Sequence, residues 1–215
     1  MRINKFLALN LNISRRDADK LIEKKEININ GNYAKLGELV GDNDVVSYKN
    51  QIINSVKEHK YYKFYKPKNY VSSRSSQGNS KTIYELIKNK NLKYSGRLDK
   101  DSEGLMLLST DGDWLNNNSH PSKELDKKYI VTTLEEIDLT KFKKSIIDNN
   151  ENLNIHSIKK ESKYEYLVIL KTGKNREIRR IFEYNNIKIT NLKRISIGEY
   201  SLDNMKIGDL EEVKI

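Results

Sequence analysis

The chain predicts an α+β fold in two units: a small N-terminal α/β unit, then a larger one built on a mainly antiparallel sheet with flanking helices. Three observations predict it. From residue 61 onward short apolar runs of strand length alternate with helical segments, a mixed order read as a largely antiparallel sheet with helices packed on it. Residues 1–50 carry a helix-and-hairpin pattern of their own, and the polar stretch 51–60 reads as a linker to residues 61–215. A length of 215 residues suits one medium domain and one small one.

In the first unit, Ile3, Phe6, Leu7 and Leu9 form an apolar helical stripe. Ser14 caps a second helix over 15–25, with Asp17 in its first turn and Lys24 and Lys25 in its last. Ile27 and Ile29 alternate with Asn, the Asn30-Gly31 pair supplies a hairpin turn, and Val45, Val46 and Tyr48 give a final strand. In the second unit, strands are expected over 61–65, 105–109, 129–133, 164–170 and 189–197. Helices are expected over 82–88, 114–118, 139–147 and 176–184, the third as an amphipathic helix.

Residues 96–112, Gly-Arg-Leu-Asp-Lys-Asp-Ser-Glu-Gly-Leu-Met-Leu-Leu-Ser-Thr-Asp-Gly, set Asp99 in a polar loop directly ahead of a buried strand. A loop held by a rigid strand is a favoured place for chemistry. Asp99, Asp101, Glu103 and Gly104 also resemble the opening of a calcium loop, but Thr110 stands where the twelfth-position Glu belongs. The plainest alternative is a solvated turn whose acids cap backbone groups.

Charge argues for more than a turn. The net charge is +10 and the pI about 9.4, which points to a polyanionic partner. Residues 171–194 hold eight Lys and Arg against Glu177 and Glu183, and residues 60–74 hold five with no acid. Two such clusters around one acidic loop match a nucleic-acid footprint. There is no cysteine, so disulfides, thiolate zinc sites and thiol nucleophiles are excluded. His59, His120 and His156 are too scattered for a metal site, and neither metal nor organic cofactor is expected. No stretch approaches the roughly eighteen apolar residues of a membrane span, and no signal peptide is visible, so a cytoplasmic monomer without membrane contact is expected.

The 96–112 segment resembles the signature of the RsuA/RluB/RluE/RluF-type pseudouridine synthases, G-R-L-D-x-x-(S/T)-x-G-L, almost position by position. The resemblance continues in order through Tyr65-Lys66-Pro67 and Val71-Ser72-Ser73, His120-Pro121, and Lys127-Lys128-Tyr129-Ile130-Val131. It runs on through residues 172–182, Thr-Gly-Lys-Asn-Arg-Glu-Ile-Arg-Arg-Ile-Phe, and then Leu192-Lys193-Arg194 and Ile197-Gly198. Together these cover nearly all of residues 61–215, and both prolines, Pro67 and Pro121, fall on motif positions. Residues 1–50 resemble the RNA-binding domain of the ribosomal-protein-S-four type, through Met-Arg-Ile-Asn-Lys-Phe, Ser14-Arg15-Arg16 and the following hairpin.

The resemblance implies isomerisation of a flipped-out uridine in ribosomal RNA, without a cofactor. It implies Asp99 as a nucleophile, Arg179 as its ion-pair partner and Tyr129 stacking on the base; Leu170, ending the 164–170 strand, is expected as a pocket wall, with core packing an equal reading of it. A guanidinium within about 4–6 Å favours the charged form of a carboxylate that a dry pocket would otherwise neutralise. Arg97, in the place of an arginine that fills the vacated stack, would touch RNA, as would Lys127, Lys174, Arg176 and Arg180. In the N-terminal unit the RNA contacts would be Arg2, Lys5, Arg15, Arg16 and Lys20. Two positions depart from the pattern: Lys68-Asn69 stands where relatives often carry Gly, and Glu177 where many have Gln. Glu177 and the tail Glu199-Tyr-Ser-Leu-Asp-Asn204 lean towards enzymes of the large subunit, favouring 23S over 16S rRNA.

Two other functions compete. A non-catalytic RNA-binding or ribosome-associated assembly factor on a degenerate synthase fold would be expected to lose Asp99, which is present here with Arg179 and Tyr129. A sugar hydrolase using Asp99 and Asp101 fits poorly, because near neighbours in a turn rarely hold carboxylates about 5–9 Å apart across a substrate.

Overall fold

The computed structural model describes residues 1–54, 59–76 and 78–215. Contacts divide them into two compact units, Met1–His59 and Lys60–Ile215.

In the first unit, helices α1 (Ile3–Asn10) and α2 (Arg15–Glu23) pack on strands β1 (Ile27–Ile29), β2 (Asn32–Tyr33), β3 (Val46–Tyr48) and β4 (Gln51–Ile52). The strands form an antiparallel sheet in the order β2-β1-β3-β4. Ser14 caps α2 as expected, its Oγ accepting the Asp17 N–H at 3.0 Å. The helix ends at Glu23, earlier than residue 25, because Lys25 turns to φ 57° to lead into β1. Ile3, Leu7, Ala18, Ile22, Ile27 and Val46 make the core. Gln51 and Ile52, expected in the linker, pair with Tyr48 and Ser47 instead and belong to this sheet. The central part of that linker, residues 55–58, lies outside the described residues.

The second unit runs through β5 (Tyr61–Lys66), β6 (Tyr70–Val71), β7 (Lys81–Thr82), β8 (Lys93–Ser95), β9 (Glu103–Ser109) and helix α3 (Gly112–Asn117). It continues through β10 (Lys127–Thr133), β11 (Ser145–Asp148), β12 (Glu151–Asn154), β13 (Ser157–Lys160) and β14 (Glu165–Leu170). Helix α4 (Glu177–Tyr184), β15 (Ile189–Ile197), β16 (Tyr200–Ser201) and β17 (Leu210–Glu212) close it. The main sheet has the order β13-β14-β10-β15-β9-β5-β17, with β8 also on β9 and β16 on β15.

Every pairing in that sheet is antiparallel except one. Strands β9 and β15 meet in parallel, Glu103 opposite Lys193 and Gly104 opposite Arg194. Only glycine permits this junction: Gly104 sits at φ 120°, and a Cβ there would lie 2.2 Å from the Arg194 carbonyl oxygen. All seven residues of β9 are buried, which is why it reads as a continuous apolar run. Met106 and Leu108 join the main core with Ile83, Leu92 and Phe182, while Leu105 and Leu107 pack with Leu115, Ile197, Leu202 and Met205.

Two expected helices are absent. Residues 139–141 form a turn, closed by the Lys141 N–H on the Asp138 carbonyl at 3.2 Å, and 142–144 lead irregularly into β11, which turns back into β12 through Asn149 and Asn150, both at positive φ. Phe142 and Ile146 imitate a helical stripe, but they reach the core from separate segments, Phe142 packing on Phe182 at 5.1 Å between ring centroids. Residues 82–88 hold only a single 3-10 turn, Ile83–Glu85, whose capping box closes when Glu85 accepts the Thr82 N–H at 2.8 Å.

Candidate active site

A cleft of about 390 Å³ opens in the second unit between the loop ahead of β9, the strands β10 and β15, and the approach to α4. Asp99, Tyr129, Leu170, Arg176, Leu192 and Arg194 all line it. The sequence-predicted nucleophile, stacking tyrosine and apolar wall therefore share one cavity. Tyr129 and Leu170 are buried, and the Asp99 side chain is about one-third exposed (33%), open to whatever enters.

The loop over residues 96–102 is held from below. Lys66, wholly buried at the end of β5, donates from Nζ to the carbonyls of Ser102 (2.7 Å), Asp99 (3.0 Å) and Pro67 (3.0 Å). Burial pulls its amine down to about 8, against the opposing pull of the nearby Asp101 and Asp99 carboxylates. Ser72 clamps the same loop: its Oγ donates to the Leu98 carbonyl at 2.8 Å and accepts the Leu98 N–H at 3.2 Å. Lys66 and Ser72 lie in matched motifs, yet no sequence pattern shows that their partners are backbone groups of the Asp99 loop.

The arginines divide their work differently from expectation. Arg179 does not pair with Asp99 here. Its Nε stands 3.2 Å from the Asp101 carboxylate, and its Nη2 donates to the Asp101 carbonyl and Ser102 Oγ, both at 3.1 Å. Arg176 takes Asp99, Nη1 to Oδ2 at 3.4 Å, and also reaches Asp101 at 3.3 Å. The cause is local: Arg176 sits at φ 48°, in the left-handed region just before α4, which swings its side chain towards the loop. Arg179, one turn into the helix, lies deeper and meets the backbone after Asp99. Burial draws the Arg179 guanidinium below the usual arginine range, with Asp101 opposing.

Glu177 explains the tight approach to α4. It is buried, and Oε2 accepts from Thr172 Oγ1 (2.7 Å) and the Lys174 N–H (3.1 Å), while Oε1 accepts the Asn154 N–H (3.3 Å). A Gln at that position could accept at only one of these two atoms, so the carboxylate suits this loop.

Of the expected RNA contacts, Arg97 is exposed at the rim of the cleft, and Arg2, Arg15, Arg16 and Lys20 are exposed on the N-terminal unit, with Lys5 half-buried. Lys174 lines the cleft, its amine bonded to the Asn152 carbonyl. Two of these expectations are corrected. Arg180 is committed to the β11–β12 hairpin, pairing with Asp148 and Glu151 and donating to the Asp148 carbonyl at 2.8 Å. Lys127 is buried inside the cleft wall, its amine facing the carbonyls of Leu125 (3.3 Å) and Lys171 (3.4 Å). Burial, and then the Arg194 charge, hold that amine below the usual lysine range.

Comparison with known proteins places the fold in a family. The family model for RNA pseudouridylate synthases matches residues 60–184, and that for the S4 domain matches residues 1–46. A protein of Borreliella burgdorferi described as an RNA pseudouridine synthase is 34% identical over 100% of this chain and 90% of its own length. The ribosomal large subunit pseudouridine synthase B of Vibrio vulnificus is 27% identical over 94% of this chain and 68% of its own. A crystal structure of a pseudouridylate synthase superposes with a TM-score of 0.70 at 24% identity, covering 100% of this chain and 96% of that one, which supports the fold. The chain belongs to the RNA pseudouridylate synthase family, isomerases of uridine in RNA, and carries an S4 domain ahead of its catalytic domain.

Proposed function

We propose that this chain forms pseudouridine at a specific uridine of ribosomal RNA, 23S rather than 16S, with Asp99 as the nucleophile. One observation carries the reading: a partly exposed carboxylate beside a guanidinium faces a buried tyrosine and an apolar wall inside one cavity. Covalent catalysis by an aspartate needs an ionised carboxylate with room for a substrate atom next to it. Arg176 supplies the adjacent charge, and Arg179 fixes the loop through Asp101 and Ser102. Tyr129 offers an aromatic face to an unstacked base, and Arg97 stands at the rim where the base leaves its stack. Extrusion of the uridine costs a few kcal/mol, least in a loop, bulge or helix end, so the target is expected in such a place. The exposed basic residues of the S4 domain would hold flanking RNA. The choice of 23S rRNA rests on the large-subunit name of the Vibrio vulnificus relative and on Glu177 with the 199–204 tail.

The test uses tritium release from C5-labelled uridine in transcripts of both ribosomal RNAs. The wild type should modify one position of 23S rRNA, and D99N should release less than a few per cent as much while melting at the same temperature. Residual turnover above that level would remove Asp99 as nucleophile. Modification confined to 16S rRNA would overturn the choice of subunit and leave the reaction standing.

A further inference from the structure

Arg194 lines the cleft but has no part in the chemistry described so far. It is only 4% exposed. Its register partner across the antiparallel β10–β15 pair is Tyr129, so the two side chains leave the same face of the sheet. Nε donates to the Leu105 carbonyl at 2.8 Å, which fixes the guanidinium plane. Nη1 lies 4.0 Å from where a Cβ on Gly96 would stand, so the guanidinium sits beneath the start of the Asp99 loop. Nη2 is buried and has no hydrogen-bond partner, and among the described residues no carboxylate lies within ion-pair distance of Arg194. A second buried cation, Lys127, stands close by in the same wall.

A buried charged donor without an acceptor is costly, and such groups call for an explanation in function. We propose that Arg194 is a catalytic residue whose Nη2–H donates to a carbonyl oxygen of the nucleobase stacked on Tyr129, and whose charge stabilises that base as the glycosidic bond breaks. The inference rests on the reading of the cleft as a uridine site. When the bond between C1′ and N1 breaks, its electron pair passes to the base and spreads onto the C2 and C4 carbonyl oxygens. A fixed, water-free guanidinium beside one of those oxygens lowers the energy of that charge without reorganising. Asp99 holds C1′ as an ester while the base turns; C5 then supplies the pair for the new C1′–C5 bond as the ester bond to C1′ breaks and frees the carboxylate, C5 gives up its proton and N1 takes one. The product is an isomer, with no electrons exchanged with any other reactant. Asp99 acts at one edge of the bound uridine, and Arg194 holds the charge from the other.

The test measures single-turnover rates at saturating enzyme on C5-tritiated transcripts of 16S and 23S rRNA, with RNA affinity and melting temperature measured alongside. R194M should lower the rate about 10²–10³-fold, the usual loss for one preorganised donor, while affinity changes less than about threefold. R194K keeps the charge without the fork and should lose roughly tenfold. In transcripts carrying 5-fluorouridine, whose base forms a more stable anion, glycosidic cleavage should suffer less from either substitution. Equal losses on the two substrates would overturn the proposal. So would a fall in affinity with an unchanged single-turnover rate, which would mark a phosphate contact. If R194M does not fold, R194K on the two substrates decides alone. A wild type inert on both RNAs would overturn the uridine reading itself, whereas an active wild type with unaffected variants would overturn only the role of Arg194.

Discussion

Replacing Lys66 by Met tests how the Asp99 loop is held. The substitution keeps most of the side-chain volume and removes the one donor shared by three carbonyls. The Asp99 carbonyl keeps the Ser102 N–H at 3.1 Å, but the Pro67 and Ser102 carbonyls lose the Lys66 donor, and a buried carbonyl left without a partner costs about 1–3 kcal/mol. Part of that is returned, because the wild type also carries the penalty of burying the ammonium, seen in the fall of its pKa to about 8. The net loss should be about 2–4 kcal/mol, a melting temperature lower by roughly 5–15 °C for a unit of this size. The pH dependence has a definite sign. Lys66 loses its proton near pH 8 when folded but only near 10.5 when unfolded, so between these values the unfolded chain binds more protons. Wild-type stability therefore gains from Lys66 as pH rises from about 8 towards 10.5, and K66M lacks that gain. Tyr65 works the other way above pH 10, since burial and then Glu103 push its phenol up to about 12, so the window to read is pH 8–10. Thermal melts of both proteins across that window are the assay, with turnover measured alongside. Without the hydrogen bond from Nζ to the Asp99 carbonyl, turnover should also fall about a hundredfold, through misplacement of the carboxylate. Melting curves that stay parallel from pH 8 to 10, with midpoints within about 2 °C, would refute the account.

R179M should lower turnover about a hundredfold and melting by several degrees, because Arg179 is only 14% exposed and braces the Asp101–Ser102 backbone; turnover within twofold of wild type would count against it. R176M should lower turnover with little effect on melting, since its pairs with Asp99 and Asp101 are partly exposed and worth about 0–1 kcal/mol in stability; a large melting shift would show that these pairs are structural. Removing residues 1–59, rather than cutting inside β4, should leave a folded catalytic unit that binds ribosomal RNA more weakly. The slope of log affinity against log salt should become shallower by about 0.7 for each phosphate no longer neutralised, and an unchanged slope would mean that the S4 domain does not touch the RNA.

What the sequence disclosed follows from what each feature depends on. The run from Leu105 to Leu108 was legible because a strand buried on both faces has to be apolar throughout, and the Ser14 cap because its bond is local. The turn and strand over 139–147 were not, since Phe142 and Ile146 fall at helical spacing while their burial is decided by distant partners. Family motifs pointed to Asp99 and Tyr129, and the end of the 164–170 strand to Leu170, and the three line one cavity. The partner of each arginine stayed hidden, because it depends on the left-handed turn at Arg176 rather than on residue type. Lys66 and Arg194 lie within family motifs, yet their roles were invisible there, since a buried cation is defined by the carbonyls around it, and those leave no mark in a sequence.

The parallel junction of β9 and β15 has a consequence for how the enzyme comes into being. Glu103 and Lys193, paired across it, are far apart in the chain, and the segment between them contains β10 to β14 and α4. Pairings over such separations form late, because the loop must close before its stabilising interactions can form. Strands β5, β8 and β9 can assemble early around the Asp99 loop from near neighbours, as can β10, β13 and β14 around Tyr129. Arg176 and Arg194 lie on the far side of that closure, so before it forms the carboxylate and the tyrosine lack the two guanidinia that line the cleft from the approach to α4 and from β15. With the roles proposed above, the cleft is complete only when β15 pairs against Gly104, which makes the last large strand of the sheet the step that assembles the proposed site.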